Sequence, residues 1–402
     1  MPRTVLVTGP GGAGVTTLAA ATALAGARAG HRTLAIGTGL SCGLAAVLGT
    51  RPAAGPGQPV EAADGLWTVE ADSARHFREG FLAAQDRAGT FLSALGAEPL
   101  DDDELTELPG AGALALLSTL HEAHRSGRWQ LIVSALPPAP EAVRLLALPD
   151  QLLRYLGRLL PAQRRTAHTL RPLLAQLTGV SLPAAALYDS AARWSRELTA
   201  VRDVLTGPGT CVRWVVEPGP RAEAVLRSAR AGLALHGPAS EAVLANRLLP
   251  TGSPDPWLAG LAARQRLALA ELVAEGLPVH EIPHLGRPVS GPADLETLQV
   301  PPPGDPVPLP GRVVEDGRSA DGLLRWRLPL PGARRDELTV VRRGDELVVT
   351  TGPYRHCLVL PPLLRDCTLT GAGLEDGALV TRFAPVPRHR GAEALNGSRP
   401  VR

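Results

Sequence analysis

Short apolar runs alternate with helix-forming segments over the first 300 residues. The runs are rich in valine, leucine and isoleucine and are bounded by glycine, proline or polar residues, which is typical of strands buried on both faces. They occupy residues 5–8, 33–37, 66–71, 130–135, 211–216, 241–245 and 279–282. The alternation predicts an α/β domain over residues 1–300 with a doubly wound, mainly parallel sheet.

The interval between the strands at 130–135 and 211–216 spans about 75 residues, several times the length of an ordinary crossover helix. Leucines recur there at helical spacing, from Leu152 through Leu170 to Leu205. They predict amphipathic helices that form a helical insert over residues 151–205. Two interpretations of the apolar stripes stay open: they bury a core of their own, or they present a groove to a helix of another protein.

A proline-rich stretch at residues 301–311 separates two regions of different periodicity. Because prolines stiffen a chain, this stretch predicts a linker. Beyond it, short strands with alternating apolar and polar residues predict a small antiparallel β-sandwich over residues 312–385. These strands occupy residues 323–330, 337–342, 346–351, 356–360 and 378–383. Residues 386–402 are predicted to form a disordered tail.

The composition excludes some classes of partner. The chain has 402 residues, 45% of them hydrophobic and 20% charged, with a formal net charge of +2. This charge is too small for a nucleic-acid surface, so we predict no nucleic-acid partner. No apolar run reaches membrane-spanning length and no signal peptide precedes the first strand, so we expect a cytoplasmic protein that is not integral to a membrane. The four cysteines are far apart, which suits a reducing compartment.

A glycine-rich turn after the strand at 5–8 contains the candidate chemistry. Its spacing, Gly9-x-x-x-x-Gly14-x-Thr16, is that of a P-loop, in which backbone N–H groups and a helix N-terminus bind phosphate. Where a P-loop has the lysine that contacts the β- and γ-phosphates, this chain has Val15. No lysine can replace it from elsewhere, because all 41 Lys and Arg residues are arginines. The charge has therefore not been kept at this position.

Two other interpretations of the turn stay open. The same residues match the dinucleotide pattern Gly9-x-Gly11-x-x-Gly14, which needs a carboxylate at the end of the second strand to bind a ribose hydroxyl. That strand is followed by Thr38, Gly39 and Leu40, without an acid. Alternatively, the turn is structural and binds nothing.

The chain resembles the ArsA family of deviant P-loop ATPases, which includes the arsenite-pump ATPase and the targeting factor for tail-anchored membrane proteins. The resemblance is carried by the glycine turn, Leu170-Arg-Pro-Leu-Leu174, Val201-Arg-Asp-Val-Leu205 and Val243-Leu-Ala-Asn246-Arg-Leu-Leu-Pro250. The sandwich resembles the small-heat-shock, α-crystallin-like domain of some members, through residues 325–332, 343–350 and 374–377. The family implies a homodimer with ATP at its interface, and hydrophobic clients or an anion handled by the helical insert.

Several functional positions of the family differ here. The two P-loop lysines correspond to Pro10 and Val15, the water-activating aspartate of the first switch corresponds to Gly39, and the magnesium-associated aspartate of the second switch corresponds to Ala135. Thr16 remains as a possible magnesium ligand. Asn246 remains at the family's adenine-contacting position.

The sequence therefore predicts a pseudo-ATPase that acts as a chaperone-like, client-binding partner. We predict no catalytic residues, and weak or no binding of ATP and magnesium by a degenerate site: Gly9, Gly11, Gly12, Gly14, Thr16, Thr17 and Asn246. Two alternatives stay open. The first is a working ATPase in which Arg144 or Arg247 supplies the missing charge. The second is a regulatory subunit that forms a heterodimer with an intact relative.

Overall fold

The computed structural model of the chain describes residues 2–38, 43–50, 57–94, 98–159 and 184–385. The chain divides into two compact units, Met1–Leu309 and Pro310–Arg402. Each unit has its own sheet structure.

The first unit contains an eight-stranded sheet in the order β3-β4-β2-β5-β1-β6-β7-β8. All neighbouring strands are parallel except β3, which is antiparallel to β4. The strands are β1 (Arg3–Thr8), β2 (Thr33–Gly37), β3 (Val60–Ala63), β4 (Leu66–Glu70), β5 (Leu131–Ala135), β6 (Thr210–Val216), β7 (Ala239–Leu248) and β8 (Val279–Pro283). The predicted doubly wound, mainly parallel sheet is thus confirmed, with β1 between β5 and β6.

Helices connect most of the strands in sequence and pack on the sheet. They are α1 (Val15–Arg28), α2 (Leu44–Val47), α3 (Ser73–Ala94), α4 (Ala111–Arg125), α5 (Ala139–Leu159), α6 (Ala184–Thr206), α7 (Pro220–Ala234), α8 (Pro256–Ala274) and α9 (Gly291–Thr297). The alanine-rich α1 packs closely on β1 and β5, with Leu18 and Ala23 fully buried. Small side chains on α1 let it lie close to the strand that precedes the glycine turn, which fixes the position of the turn.

The helical region between β5 and β6 differs from its predicted bounds. α5 begins at Ala139, immediately after β5, rather than at residue 151, and continues to Leu159 with Pro149 inside it. α6 then packs against α5 and returns the chain to β6. The predicted leucine stripe that begins at Leu170 lies outside the described residues.

The proline-rich segment after α9 is fastened to the first unit. Arg213 of β6 donates hydrogen bonds to the carbonyl oxygens of Pro301 and Pro302 at 2.9 and 3.3 Å. The backbone N–H of Gly304 donates to Glu241 at 2.7 Å, and Val307 forms a β-bridge with Ser240 of β7. We call residues 301–307 the strap. Over these residues the predicted linker is therefore a bound part of the first unit, because carbonyl groups of prolines can accept hydrogen bonds from a buried side chain.

The ion pair beneath the strap is fully enclosed. Arg213 and Glu241 are 0% and 2% exposed, and two hydrogen bonds of 2.7 and 2.8 Å join the guanidinium to the carboxylate. The guanidinium also donates to the hydroxyl of Thr22 in α1. Helix, sheet and strap thus meet at one buried charge pair.

The second unit is the antiparallel β-sandwich that the sequence predicts. One sheet has the order β14-β15-β10-β9 and the other β11-β12-β13. The strands are β9 (Val313–Gly317), β10 (Leu323–Pro329), β11 (Leu338–Arg343), β12 (Glu346–Thr351), β13 (Tyr354–Val359), β14 (Cys367–Glu375) and β15 (Ala378–Pro385), with the short helix α10 (Pro362–Arg365) before β14. Alternate residues of β10 and β12 are buried, as expected for strands that cover a core with one face. The predicted tail at 386–402 lies outside the described residues.

Among the helices that the structure describes, none is both long and apolar enough to cross a membrane.

Candidate functional site

The glycine turn joins the central strand β1 to α1 at the edge where the parallel strands end. Gly12 and Gly14 have φ values of 83° and 92°, in the left-handed region that favours glycine. Gly11 and Gly12 are exposed, and Thr16 and Thr17 are half-buried in the first turn of α1. The first N–H groups of a helix have no partner within the helix and lie at its positive end. The structure therefore brings the predicted turn residues together at the edge where α/β sheets bind ligands.

Close packing requires glycine at two positions of the turn. A Cβ atom on Gly9 would overlap the carbonyl oxygen of Val215 in β6, and one on Gly14 would overlap the side-chain nitrogen of Asn246. A Cβ atom on Gly11, in contrast, would lie 3.7 Å from Pro138, which is an ordinary contact. Gly9 and Gly14 are thus needed by the fold itself, with or without a ligand.

Val15 packs against the hydrophobic core. Its side chain is half-buried and packs against the cluster of buried residues that includes Leu18 and Leu44. A lysine at a P-loop position extends from the turn to the phosphates. The valine has no charge to offer there and stabilises the attachment of α1 to the sheet instead.

The loop after β5 is hydrogen-bonded to the glycine turn. The N–H of Ala139 donates to the carbonyl oxygen of Gly9 at 2.8 Å, and the hydroxyl of Thr8 donates to the carbonyl oxygen of Pro137 at 2.8 Å. Ala135, at the position of the second-switch aspartate, is 6% exposed. This loop brings apolar side chains to the turn, and none of its residues from Ala135 to Pro138 has a carboxylate.

Asn246 contacts the glycine turn from β7. Its side-chain nitrogen donates to the carbonyl oxygen of Ala13 at 2.8 Å, and the residue is 6% exposed. The sequence places Asn246 and Arg247 after their strand, whereas β7 continues to Leu248 and includes both. The resemblance implies contact with adenine, but in this structure the amide nitrogen is used by the turn backbone.

Arg247 is a basic side chain that contacts the turn. Its Nη1 donates to the carbonyl oxygen of Gly12 at 3.0 Å and lies 3.2 Å from Glu217. The residue has a φ of 56°, and its carbonyl oxygen accepts a hydrogen bond from Gln265 of α8. Arg144, the other candidate, is exposed on α5. Of the two arginines predicted as substitutes for the lysine, Arg247 therefore has the observed contact.

The loop that follows β2 includes Gly39, which lies outside the described residues. Glu70, at the end of β4, contacts described residues on either side of that gap: its Oε1 accepts a hydrogen bond from the N–H of Ala45 at 3.2 Å. Its oxygens also lie against Gly37 and Gly43, where Cβ atoms would overlap them. Sequence reasoning missed this carboxylate, although an acid at the end of a predicted strand is a signal that could have identified it.

The strand order argues against a dinucleotide site. In dinucleotide-binding folds the first and second strands are neighbours, so that an acid on the second strand lies beside the turn. Here β5 lies between β1 and β2. The pattern Gly9-x-Gly11-x-x-Gly14 consequently lacks both the acid and the strand arrangement that it requires.

The helices α5 and α6 expose large apolar side chains. Tyr155 and Leu159 of α5 are 52% and 78% exposed, and Trp194 of α6 is 50% exposed. Val201 and Leu205 are buried. Within the described residues these helices thus have buried apolar side chains and exposed ones.

The described cysteines are divided between the two units. Cys211 is buried in β6, and burial raises the pKa of its thiol to about 11. Cys357 and Cys367 belong to the second unit. A soft metalloid site needs several thiolates, and Cys211 is a neutral thiol at physiological pH.

The fold and the turn together define a P-loop ATPase-like α/β domain followed by a small β-sandwich domain. The sequence model of a family described as anion-transporting ATPase matches residues 2–300, and that of the HSP20-like domain found in ArsA matches residues 321–383. The chain belongs to the ArsA ATPase family, and the resemblance of its sandwich to small-heat-shock domains is confirmed.

Curated relatives align over nearly the full chain. The uncharacterised protein SCO2128 of Streptomyces coelicolor is 49% identical over 96% of this chain and 98% of its own length. Protein Rv2184c of Mycobacterium tuberculosis is 30% identical over 96% of each chain. The putative arsenical pump-driving ATPase 1 of Aquifex aeolicus is 24% identical over 90% of this chain and 95% of its own.

Proposed function

We propose that this protein is a non-hydrolysing member of the ArsA family that binds an apolar client through its helical region. The first half of the proposal rests on Val15, which occupies the phosphate-lysine position and packs against the hydrophobic core. Phosphoryl transfer depends mainly on charge neutralisation and on positioning of the nucleophile. A half-buried valine does neither.

The loop after β5 supports the same conclusion. Magnesium in nucleotide sites is bound by hard oxygen ligands, usually one or two carboxylates together with phosphates and water. Thr16 offers a hydroxyl, but the position of the second-switch aspartate is the buried Ala135. We therefore propose that magnesium and ATP are bound weakly or not at all, and that the cytoplasmic protein works without turnover.

Any residual affinity for phosphate would come from the backbone of the turn and from Arg247. The side chain of Arg247 is 45% exposed, and its guanidinium already contacts Gly12 and Glu217. An anion would have to compete with the Glu217 carboxylate for it, which weakens binding. Arg247 is thus a poor replacement for a P-loop lysine.

The exposed side chains of α5 and α6 support the client-binding half of the proposal. Two aromatic residues, Tyr155 and Trp194, lie with Leu159 on helices that pack against each other. Aromatic side chains supply large contact areas at small entropic cost, and clustered exposed apolar residues mark binding surfaces. An apolar helix of a client protein suits such a surface. An intact relative bound as a heterodimer partner is the alternative occupant.

A labelled leucine-rich helical peptide of about 20 residues, the length of a membrane-spanning segment, tests client binding. We expect Trp194→Asp in the full chain to weaken its binding at least tenfold, measured by fluorescence anisotropy, because the change places a charge on the apolar surface. Trp257→Asp is the matched control, since Trp257 is 72% exposed on a different helix, and it should leave the affinity within twofold. Absence of peptide binding, or equal losses in both variants, would refute the proposal.

A further inference from the structure

Two tryptophans and two arginines form a cluster at the edge of the first unit's sheet where the parallel strands begin. Trp67 is the second residue of β4, Arg32 directly precedes β2, and Arg128 and Trp129 lie just before β5. These three strands are neighbours in the sheet, so their first residues lie side by side. The glycine turn lies at the opposite edge, where the strands end. We call the four residues the arginine–tryptophan cluster.

Stacking on the indole rings positions both guanidiniums. The ring centroids of Trp67 and Trp129 are 5.4 Å apart. The guanidinium carbon of Arg32 lies 4.9 Å from the first centroid and 5.4 Å from the second, and that of Arg128 lies 5.0 Å from the second. All three separations are within the roughly 6 Å over which an aromatic ring attracts a cation. Because both guanidinium carbons are close to the same ring, they are at most about 10 Å apart.

The backbone beneath the cluster is held by the sheet. The N–H of Arg32 donates to Oε1 of Gln130 at 2.7 Å, and its carbonyl oxygen accepts hydrogen bonds from the N–H groups of Gln130 and Leu131 at 2.9 and 3.3 Å. Trp129 is 4% exposed, whereas the side chains of Arg32 and Arg128 are exposed. The two cations therefore lie at the surface on an ordered base.

Neither guanidinium is neutralised by a carboxylate in the part of the chain that the structure describes. The ion pairs found there do not include Arg32 or Arg128. Two acidic residues of the adjoining β3–β4 hairpin, Glu61 and Asp64, form no ion pair with either arginine. Arg32 alone already contacts both rings, so shielding of the tryptophans does not require the second charge.

The arrangement favours carboxylates over other anions. A stacked guanidinium keeps its N–H groups in its plane, where they can bind a carboxylate or phosphate with two hydrogen bonds. Because Trp129 is buried and Arg32 already lies over the ring of Trp67, the cluster offers little free aromatic surface for a nucleobase. The formal net charge of +2 also gives little long-range attraction for a nucleic acid or an anionic membrane. Membrane surfaces are bound by about four to eight clustered basic residues.

We propose that the arginine–tryptophan cluster binds an acidic segment of a partner protein, with one carboxylate on Arg32 and another on Arg128. Carboxylates two residues apart on an extended segment are about 7 Å apart, which lies within the limit on the separation of the two guanidiniums. Binding would also offset the repulsion between two like charges. The surface uses neither the glycine turn nor α5 and α6, so the inference is independent of the proposed function.

A glutamate peptide tests the surface directly. A labelled peptide of about twelve residues, in which glutamate alternates with serine, places carboxylates about 7 Å apart on one face. We expect the full chain to bind it at about 20 mM salt and to lose at least about tenfold in affinity at about 300 mM, because salt screens exposed charges. The matched peptide with glutamine in place of glutamate should not bind. Fluorescence anisotropy measures both peptides.

Substitutions assign the binding to the two arginines. Arg32→Gln and Arg128→Gln should each weaken the glutamate peptide at least about fivefold, since each removes one charged two-bond contact. Arg128→Lys keeps the charge without the planar fork and should give a smaller loss. Arg87→Gln is the charge-matched control, because Arg87 is exposed on α3 outside the cluster, and it should leave the affinity within about twofold. Circular dichroism checks that each variant is folded.

Single-stranded DNA and phosphatidylserine vesicles, tested beside the peptide, separate phosphate-bearing partners from an acidic protein segment. Salt-dependent peptide binding that is weakened in Arg32→Gln and Arg128→Gln but kept in Arg87→Gln would support the inference. Absence of peptide binding at low salt, equal losses in all three glutamine variants, or tighter binding of DNA or vesicles through the same two arginines would each overturn it.

Discussion

Replacing Arg213 by leucine is expected to lower the free energy of unfolding of the first unit by about 3–5 kcal/mol, because it leaves Glu241 buried without its counter-ion. The carboxylate is 2% exposed and would keep only its remaining hydrogen bond, from the N–H of Gly304. The strap would also lose the donors that fasten Pro301 and Pro302. Urea unfolding followed by circular dichroism, together with calorimetry, measures the change.

Two further variants separate the ion pair from general packing. The double variant Arg213→Leu/Glu241→Leu should recover part of the loss, since no uncompensated charge remains buried. Arg28→Leu breaks the exposed pair between Arg28 and Glu296 and should cost about 1 kcal/mol or less. If Arg213→Leu were as mild as Arg28→Leu, the strap would not depend on the buried pair.

Gly9→Ala is expected to destabilise the first unit by about 3 kcal/mol or more in the absence of any nucleotide. The added Cβ atom would overlap the carbonyl oxygen of Val215, which is held in the middle of the sheet. A backbone atom in a central strand cannot move aside as a side-chain end can. Urea unfolding of the purified variant measures this cost.

Gly11→Ala is the matched control for Gly9→Ala. Its Cβ atom would lie 3.7 Å from the Cγ of Pro138, so we expect a change of about 1 kcal/mol or less. The difference between the two variants separates glycine needed for folding from glycine needed for a ligand. Equal stability of both would show that the turn adapts, and a purely structural explanation of Gly9 would then fail.

The α/β sheet was predictable because its strands are short apolar runs in a regular alternation with helices. Five of the sandwich strands were predicted as well, and three of them, β10, β11 and β12, alternate between more and less buried residues. The strands Val60–Ala63, Val313–Gly317 and Cys367–Glu375 were missed. Each is at the edge of its sheet and is polar, glycine-containing or alanine-rich, so burial does not impose a pattern on it.

The fastening of the strap could not be predicted, because it depends on long-range partners. Arg213 lies in an apolar strand, and its partner Glu241 follows about 28 residues later, with no local spacing to connect them. Prolines at 301–303 favour a linker interpretation. The pairing of β6 with β7 brings Arg213 and Glu241 together, and this long-range contact is what places the buried guanidinium against the proline carbonyl groups.

The parts of the candidate site that lie within one stretch of sequence could be predicted. The contacts between residues of different strands could not. The turn and the absence of lysine at Val15 are local features of the sequence. The contacts of Asn246 and Arg247 with the turn arise because β7 extends to Leu248 with a register shift after Ala245, which a propensity pattern does not reveal. Asn246 was expected to contact adenine. In the structure its side chain is hydrogen-bonded to the backbone of the turn instead.

ATP turnover by the purified full-length chain shows most directly whether the glycine turn is catalytic. Phosphate release should be measured with and without magnesium, beside Arg247→Ala, which removes an exposed side chain from the turn. We predict release equal to the buffer background in both proteins, and calorimetric titration with ATP should give little or no heat. Magnesium-dependent release by the wild-type chain that is lost in Arg247→Ala would contradict the non-hydrolysing assignment and identify Arg247 as the substitute for the missing lysine.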